Sequence, residues 1–505
     1  MIPPPRIEAT GLRKQFGALR ALDDVEITVQ PASFHAVVGE NGAGKSTLAK
    51  CLLGFYKHDA GEVRMDGVSV HSPAESRRAG LGMVFQHFTL APSMTVTENL
   101  LLARSDLPVV ISWEAERERL REFLKTAPFS VNLDARVDHL AAGEKQKVEI
   151  LKQLYLKTRA LILDEPTSVL TPSEAEEVMT ILSGMVRAGV LSVLLITHKL
   201  REVTAFADDV TIMRRGRVAA CKAVRQVDAA TIAELMMGDS GLPQTIERAL
   251  TVQRTQALTI RNLLVRGDQG LPAVRDFDLT VRSGEILGIA GVSGNGQREL
   301  VQAVGGQRAI EGGEILAFGA PFRPTRESIE KFGLFTLPEE PLENATVPGM
   351  SVAENLALRG FDRKPMAAGG FLLNGPAIRA NAIEEIERFS IQTPSPFSPI
   401  RNLSGGNVQR TVLARDLGSR EARIMVIANP CFGLDFAATA FVHNQLVELR
   451  NAGGAVLLVS EDLEELMKLA DRILVMSEGR IAYETLPANL DLAMVGQFMA
   501  GHAER

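Results

Sequence analysis

Apolar and polar positions follow two rhythms along this chain, and the whole succession occurs twice. Nearly uninterrupted apolar runs, such as Phe34 to Val38, Ala160-Leu161-Ile162-Leu163 and Leu191 to Ile196, have the length of strands buried on both faces. Elsewhere apolar residues recur at helical spacing, as at Val148, Leu151, Leu154 and Tyr155. Alternation of the two patterns predicts a buried parallel sheet flanked by helices. Lys45 to Leu53 begins a helix straight after the first run and a glycine-rich turn, and the segment at Gly143 reads as a loop entering a helix N-terminus. The longest apolar runs are of strand length, short of the ~20 residues a membrane helix needs. A membrane role is therefore expected to come through partners.

The repetition is at domain scale. Arg6-Ile7-Glu8-Ala9-Thr10-Gly11-Leu12 is echoed by Leu258-Thr259-Ile260-Arg261-Asn262-Leu263, and Thr95-Val96-Thr97-Glu98-Asn99-Leu100 by Ser351-Val352-Ala353-Glu354-Asn355-Leu356. The polar stretch from Gly238 through Gly241, Leu242 and Pro243 to about Arg254 reads as a short linker. Domains are thus expected at 5–242 and 256–501, and 505 residues suit two domains of ordinary size.

Charge narrows the function classes. A net charge of −6 with interspersed signs argues against a nucleic-acid binder driven by a basic patch. Cys51, Cys221 and Cys431 are scattered and form no CxxC pair, so they are expected to be small core residues in a reducing compartment. The N-terminus carries no basic-then-apolar signal pattern.

The candidate chemistry lies where the runs end. Gly39-Glu40-Asn41-Gly42-Ala43-Gly44-Lys45-Ser46 has the form GxxxxGK[ST], with Thr47 next. Close-set glycines let backbone N–H groups wrap a phosphate at a helix N-terminus, where Lys45 would bridge the β- and γ-phosphates and Ser46 would coordinate Mg²⁺. Leu161-Ile162-Leu163-Asp164-Glu165-Pro166 puts two carboxylates at a strand exit. Alone they would be solvated acids; behind a phosphate loop, Asp164 suits the Mg²⁺ shell and Glu165 a general base toward water. His198, at the tip of the next strand, could hold water and base in line, and Gln86 could reach Mg²⁺ and water. Phe16, read as an exposed loop residue, could stack on adenine.

The second half complements the first. Where the first has its phosphate loop, the second reads Gly291-Val292-Ser293-Gly294-Asn295-Gly296-Gln297-Arg298, without lysine or hydroxyl. It keeps an intact Leu403-Ser404-Gly405-Gly406-Asn407, where the first half has Leu140-Ala141-Ala142-Gly143-Glu144. Each half lacks what the other retains.

Taken together, the phosphate loop, glutamine loop, glycine signature, Asp-Glu strand and switch histidine resemble those of the nucleotide-binding subunits of ABC transporters, over essentially the whole chain. The resemblance implies an α/β fold of two tandem RecA-like P-loop nucleotide-binding domains, each with an antiparallel β subdomain and a helical subdomain. In that family two such units close head to tail over ATP. One complete site is then expected, with Phe16, Gly39, Asn41, Gly42, Gly44, Lys45, Ser46, Thr47, Gln86, Asp164, Glu165 and His198 from the first half. Ser404, Gly405, Gly406 and Asp435 would come from the second. The mirror site would have Gln297 for lysine, Arg298 for serine, Glu339 for glutamine, Ala428-Asn429 for Asp-Glu and Glu461 for histidine, with Ala141 and Thr171 in trans, and is expected not to hydrolyse. The tandem layout looks like the importers of monosaccharides and nucleosides. Val148 to Lys152, Val169-Leu170-Thr171-Pro172, Gly291 to Gln297 and Gln86-His87-Phe88 resemble the nucleoside class. That implies ATP and Mg²⁺ as cofactors, integral-membrane permease partners, an extracytoplasmic solute-binding protein, no nucleic acid, and a peripheral place on the cytoplasmic face of the membrane. A soluble tandem ABC ATPase acting on ribosomes or nucleic acid is the alternative; an exporter subunit is a weaker third.

Overall fold

The computed structural model describes residues 2–17, 19–104, 106–108, 110–167, 170, 172–237, 246–249, 255–291, 294–370, 372–418, 422–431, 434, 436–490, 494–495 and 498. The chain forms two compact units, Met1–Leu242 and Pro243–Arg505.

In the first unit the apolar runs lie side by side in a six-stranded sheet, in the order Arg217–Ala223, Asp209–Arg214, Phe34–Val38, Ser192–Ile196, Ala160–Asp164, Leu81–Val84. All neighbours pair in parallel except the edge strand Arg217–Ala223, which is antiparallel. The register sets Val37 opposite Ile196 and Ile196 opposite Asp164, so the strand ends that carry the phosphate loop, His198 and Glu165 lie level. Ligands of open parallel sheets sit at such carboxyl ends. Every residue of Phe34–Val38 is buried, and truncating Phe34 (1 % exposed) to alanine is expected to cost about 3–5 kcal/mol.

A four-stranded antiparallel sheet, Leu19–Val29, Ile7–Phe16, Ala60–Met65 and Val68–Ser69, covers the phosphate-loop helix Lys45–Leu52 through Leu12, Leu22, Val25 and Val63. Helices Val96–Leu102, Trp113–Thr126 and Ala142–Tyr155 gather around Leu100, Leu101, Leu120 and Val148.

The second unit repeats both sheets. Its six-stranded order is Leu334–Leu337, Ile424–Ala428, Ala455–Ser460, Ile286–Ala290, Arg472–Ser477, Arg480–Thr485, and its four-stranded sheet is built on Gln256–Arg266. The echoed Thr95/Ser351 segments are helix N-caps. Thr95 Oγ1 accepts from Glu98 N at 3.2 Å while Glu98 Oε2 accepts from Thr95 N at 2.7 Å; Ser351 and Glu354 do the same at 3.2 and 2.8 Å. The asparagine that follows braces the preceding loop in both units, Asn99 Oδ1 on Ala91 N and Asn355 Oδ1 on Val347 N.

Four expectations need correction. Phe16 ends a strand rather than lying in a loop, because the hairpin with Leu19–Val29 extends to it. Gly143 is already inside the helix Ala142–Tyr155, whose N-cap is Ala141. Cys221 is exposed on the edge strand, whose residues alternate outward, whereas Cys51 is buried and Cys431 half-buried. Part of the expected linker is anchored: Ala249 N donates to Asn451 Oδ1 at 2.9 Å, and Arg450 donates to the Ala249 carbonyl at 2.8 Å. Residues 238–245 and 250–254 of that linker lie outside the described residues. Among the described residues, no helix is long and apolar enough to cross a membrane.

Candidate active site

The phosphate loop spans from the buried strand Phe34–Val38 to the helix Lys45–Leu52. Gly44, at φ 104°, caps that helix, and a Cβ there would come within 2.5 Å of the Ala21 carbonyl, so glycine is required for both reasons. Asn41 and Gly42 are exposed at the loop crest; Ser46 and Thr47 are half-buried behind it. Lys45, 7 % exposed, curls its ammonium into the loop and donates to the carbonyls of Gly39 at 2.7 Å and Glu40 at 3.1 Å. A cation held at the mouth of a glycine turn and a helix N-terminus is an arrangement made for phosphate oxygens.

Ser46 Oγ donates to Asp164 Oδ1 at 3.3 Å, which joins the loop to the end of the strand Ala160–Asp164. Burial raises the Asp164 carboxyl above its usual range, and the charge of Glu165 adds to this, while the Ser46 hydrogen bond and Lys45 pull it back. A divalent cation between Ser46 and Asp164 would relieve that cost, so these oxygen donors fit Mg²⁺.

Glu165 sits one residue on, at φ 48°, its N–H on the Ile196 carbonyl at 2.9 Å. His198 Nδ1 lies 2.9 Å from Glu165 Oε1, and Gln86 Nε2 donates to Glu165 Oε2 at 3.2 Å. Burial alone would raise this carboxyl, but the His198 hydrogen bond and the charges of His198, Lys45 and Lys199 outweigh it and hold it below the usual range. An ionised carboxylate bracketed by an imidazole and an amide is suited to accept a proton from water.

Phe16, 42 % exposed, meets Tyr56 edge-on with centroids 5.4 Å apart, and Lys14 Nζ lies 5.3 Å over its ring. Tyr56 gave no sequence signal of its own. Nor did the brace of the His198 turn, where Glu202 accepts from the hydroxyls of Thr197 (2.9 Å) and Thr167 while Lys199 donates to the Thr167 carbonyl at 3.1 Å. The Thr197-to-Glu202 spacing recurs as Ser460 to Glu465, where Ser460 Oγ donates to Glu465 Oε2 at 2.6 Å. That recurrence could have flagged the brace.

In the second unit Ser404, exposed, precedes the helix Gly405–Gly418, and its Oγ accepts from Asn407 Nδ2 at 2.9 Å. Gly405 and Gly406 form the first residues of that helix; a Cβ on Gly406 would meet Leu434 at 2.8 Å. Asp435 and Thr171 lie outside the described residues. The counterparts of the catalytic groups are held by neighbouring polar groups. Arg298 donates to Asp268 at 2.6 Å and Glu299 at 3.2 Å, and Arg308 takes the other oxygen of Asp268 at 2.6 Å. Asn429 Nδ2 donates to Glu339 Oε1 at 3.0 Å and Asn429 Oδ1 accepts from Glu461 N at 3.0 Å. Ala428, 4 % exposed, offers no ligand where Asp164 does.

The ABC transporter family profile matches residues 22–168 and again 274–431, so both phosphate-loop segments fall in family territory. The chain belongs to the ABC transporter family. Its curated relatives match end to end. It is 35 % identical to the nucleoside import ATP-binding protein NupA of Lactococcus lactis subsp. cremoris (strain MG1363), covering 98 % of each chain. It is 37 % identical to the guanosine import ATP-binding protein NupO of Bacillus subtilis (strain 168), over 99 % of this chain and 98 % of that one. With the ribose import ATP-binding protein RbsA 1 of Rubrobacter xylanophilus the identity is 36 %, over 96 % and 95 %. A solved complex of archaeal ribosome recycling factor aABCE1 shares the fold, with a TM-score of 0.63 at 20 % identity over 97 % of this chain and 92 % of that one. This ABC protein is a tandem ATP-binding subunit, and its activity is ATP hydrolysis coupled to transport.

Proposed function

We propose that this ABC subunit energises import of a nucleoside or simple sugar, hydrolysing ATP at one site founded on its first unit. The observation that carries this reading is the asymmetry of the two units. Lys45, Ser46, Asp164, Glu165, His198 and Gln86 stand together in one, and Gln297, Arg298, Ala428, Asn429, Glu461 and Glu339 in the other. Removing a single transition-state stabiliser costs ~3 kcal/mol or more, and the second unit lacks the lysine, the metal ligands and the base at once.

In this reading Lys45 and the loop amides of Gly42 and Gly44 neutralise the terminal phosphates, and Phe16 receives the adenine face. Ser46, Asp164 and Gln86 would hold Mg²⁺, whose charge would offset that of the phosphates. Glu165 takes the proton of the attacking water, and His198 keeps that carboxylate turned toward it. Ser404, Gly405, Gly406 and Asp435 are the further nucleotide-binding residues of this reading, since a hydroxyl and helix-terminal amides suit a γ-phosphate.

The names of the relatives support an import role with integral-membrane permease partners and a peripheral position on the cytoplasmic face of the membrane. A solute-binding protein would deliver the solute to the permease. Nucleosides are favoured over sugars by two of the relatives above and by the Val148-to-Lys152 and Gln86-His87-Phe88 stretches. Uptake of labelled nucleosides and pentoses by cells carrying the wild-type chain or Glu165→Gln tests this. Loss of nucleoside uptake is the expected result. Loss of pentose uptake alone would move the substrate to sugars, and unchanged uptake across a broad solute panel, with the chain co-sedimenting with ribosomes, would overturn import.

A further inference from the structure

Past Gln86, the glutamine loop leaves the core sheet for the helical part of the first unit, and at Thr89 it is gripped. The Thr89 N–H donates to Glu149 Oε1 at 2.5 Å, and its hydroxyl donates to the same oxygen at 2.9 Å. Lys152 Nζ donates to the Thr89 hydroxyl at 2.7 Å and stands 2.5 Å from Glu149 Oε2. Glu149 and Lys152, one turn apart on the helix Ala142–Tyr155, are 2 % and 8 % exposed. A buried ion pair is costly unless its remaining hydrogen-bonding capacity is met; Thr89, on an otherwise exposed loop, meets it.

A purely structural plug would explain these contacts if the second unit had it too. It does not. Aligning the strands Leu81–Val84 and Leu334–Leu337 puts Leu342 where Thr89 stands, and the eighth residue of the helix Gly405–Gly418 is Val412 where Glu149 stands. Both members of the polar pair are apolar there. Arg415, at the position of Lys152, reaches the carbonyl of Ala345 at 2.6 Å instead, so that unit keeps a helix-to-loop tie but not the carboxylate grip. The grip occurs in the unit whose loop side chain, Gln86, touches a carboxylate base.

We propose that Glu149 and Lys152 are positioning residues for hydrolysis. They fasten the glutamine loop to the helix Ala142–Tyr155, so that Gln86 keeps its place beside Glu165 and follows the helical part of the unit when that part moves. This rests on the first unit being the hydrolytic one.

The test is steady-state ATPase on the full chain carrying Thr89→Val with Glu149→Gln, with Thr89→Ser and Glu165→Gln in parallel. The double variant is expected to lose about tenfold in kcat with KM for ATP within twofold of wild type, since small misplacements of a catalytic group cost this much or more. Thr89→Ser keeps N–H and hydroxyl and is expected to retain the wild-type rate. Thr89→Val alone, on an exposed loop, covers the case in which the double variant folds poorly; it is expected to lose part of kcat at an unchanged melting temperature. Wild-type kcat in both valine variants, or a loss that merely follows the folded fraction, overturns the proposal while an inactive Glu165→Gln leaves the site reading standing. A fully active Glu165→Gln overturns that reading, and the proposal with it.

Discussion

Glu165 and Asn429 hold the same left-handed backbone conformation, φ 48° and 43°, and each donates its N–H to a strand carbonyl, Ile196 at 2.9 Å and Val459 at 2.8 Å. A non-glycine residue in this region costs on the order of 1 kcal/mol or more and persists where the surrounding structure enforces it. The second unit therefore keeps the backbone device that aims a catalytic base while carrying an amide in its place. Its side chain closes on Glu339 and the Glu461 backbone rather than facing open water.

Glu165→Gln is accordingly expected to leave fold and ATP binding intact and to lower turnover at least a hundredfold. The reciprocal Asn429→Glu should add no second activity, because Gln297, Arg298 and Ala428 still lack the groups that bind phosphate and metal. Turnover and binding of a fluorescent ATP analogue, measured on both variants, decide this. A rise in rate from Asn429→Glu would mean the second unit is closer to catalysis than its residues suggest.

Lys45 and Arg298, which stands where the first unit has Ser46, make a second comparison. Lys45 is enclosed by the phosphate loop, whereas the Arg298 guanidinium lies outward against Asp268 and Glu299, both oxygens of Asp268 being taken by arginines. Those two arginines hold the Asp268 carboxyl below its usual range, Arg308 foremost. Lys45→Ala is expected to reduce hydrolysis more than a hundredfold. Arg298→Ala should change the rate less than twofold, because it removes ion pairs to Asp268 and Glu299 and no phosphate, metal or base group. Equal losses in the two variants would contradict a single hydrolytic site.

Much of this was readable in the residues because phosphate chemistry ties identity to spacing. A glycine turn, a lysine and a hydroxyl must follow one another to wrap a phosphate, and Asp164-Glu165 must end a strand, so these could be placed without coordinates. The Thr95 and Ser351 echoes were visible as repetition, but their reason, a capping box, appears only once the helix starts are known. Contacts between distant segments left no such trace. Thr89 and Glu149 are 60 residues apart, and although Glu149 lies in the Val148-to-Lys152 stretch, nothing in that stretch points to Thr89. Phe16 is exposed as expected, but it ends a strand because the hairpin of ten-residue and eleven-residue strands reaches it. Cys221 was misjudged because exposure on an edge strand depends on which face the sheet covers.

Ser404 is exposed, and its Oγ accepts a hydrogen bond from Asn407 Nδ2 within the same helix turn. Ser404→Arg should therefore leave the melting temperature within a few degrees of wild type while abolishing hydrolysis, if the signature of the second unit serves the nucleotide of the first. Ala141→Arg, at the matching helix start of the first unit, should alter the rate far less. ATPase assays of the two arginine variants side by side separate a shared site from two self-contained ones. An active Ser404→Arg protein would leave the intact signature without a role in turnover.

His35 gives the first unit a buried titratable group where the second unit has an apolar residue. It lies on the central strand, 2 % exposed, with Nε2 2.8 Å from Thr211 Oγ1, and burial pulls its pKa from 6.5 down to about 4 despite the charges of Asp209 and Asp208. The folded imidazole thus stays neutral until about pH 4, while the unfolded chain protonates near 6.5. Between those values the unfolded state binds more protons, so stability is full above about pH 6.5 and falls as the pH drops, by roughly 3 kcal/mol over the whole window. At matching positions the second unit has Leu287 and Leu474, an apolar pair in place of His35 and Thr211. The double variant His35→Leu with Thr211→Leu should keep the fold and flatten the acid side of the stability curve. Denaturant unfolding of wild type and variant between pH 4.5 and 7.5 reads this directly. The same downward slope in both proteins would assign the acid sensitivity to other groups.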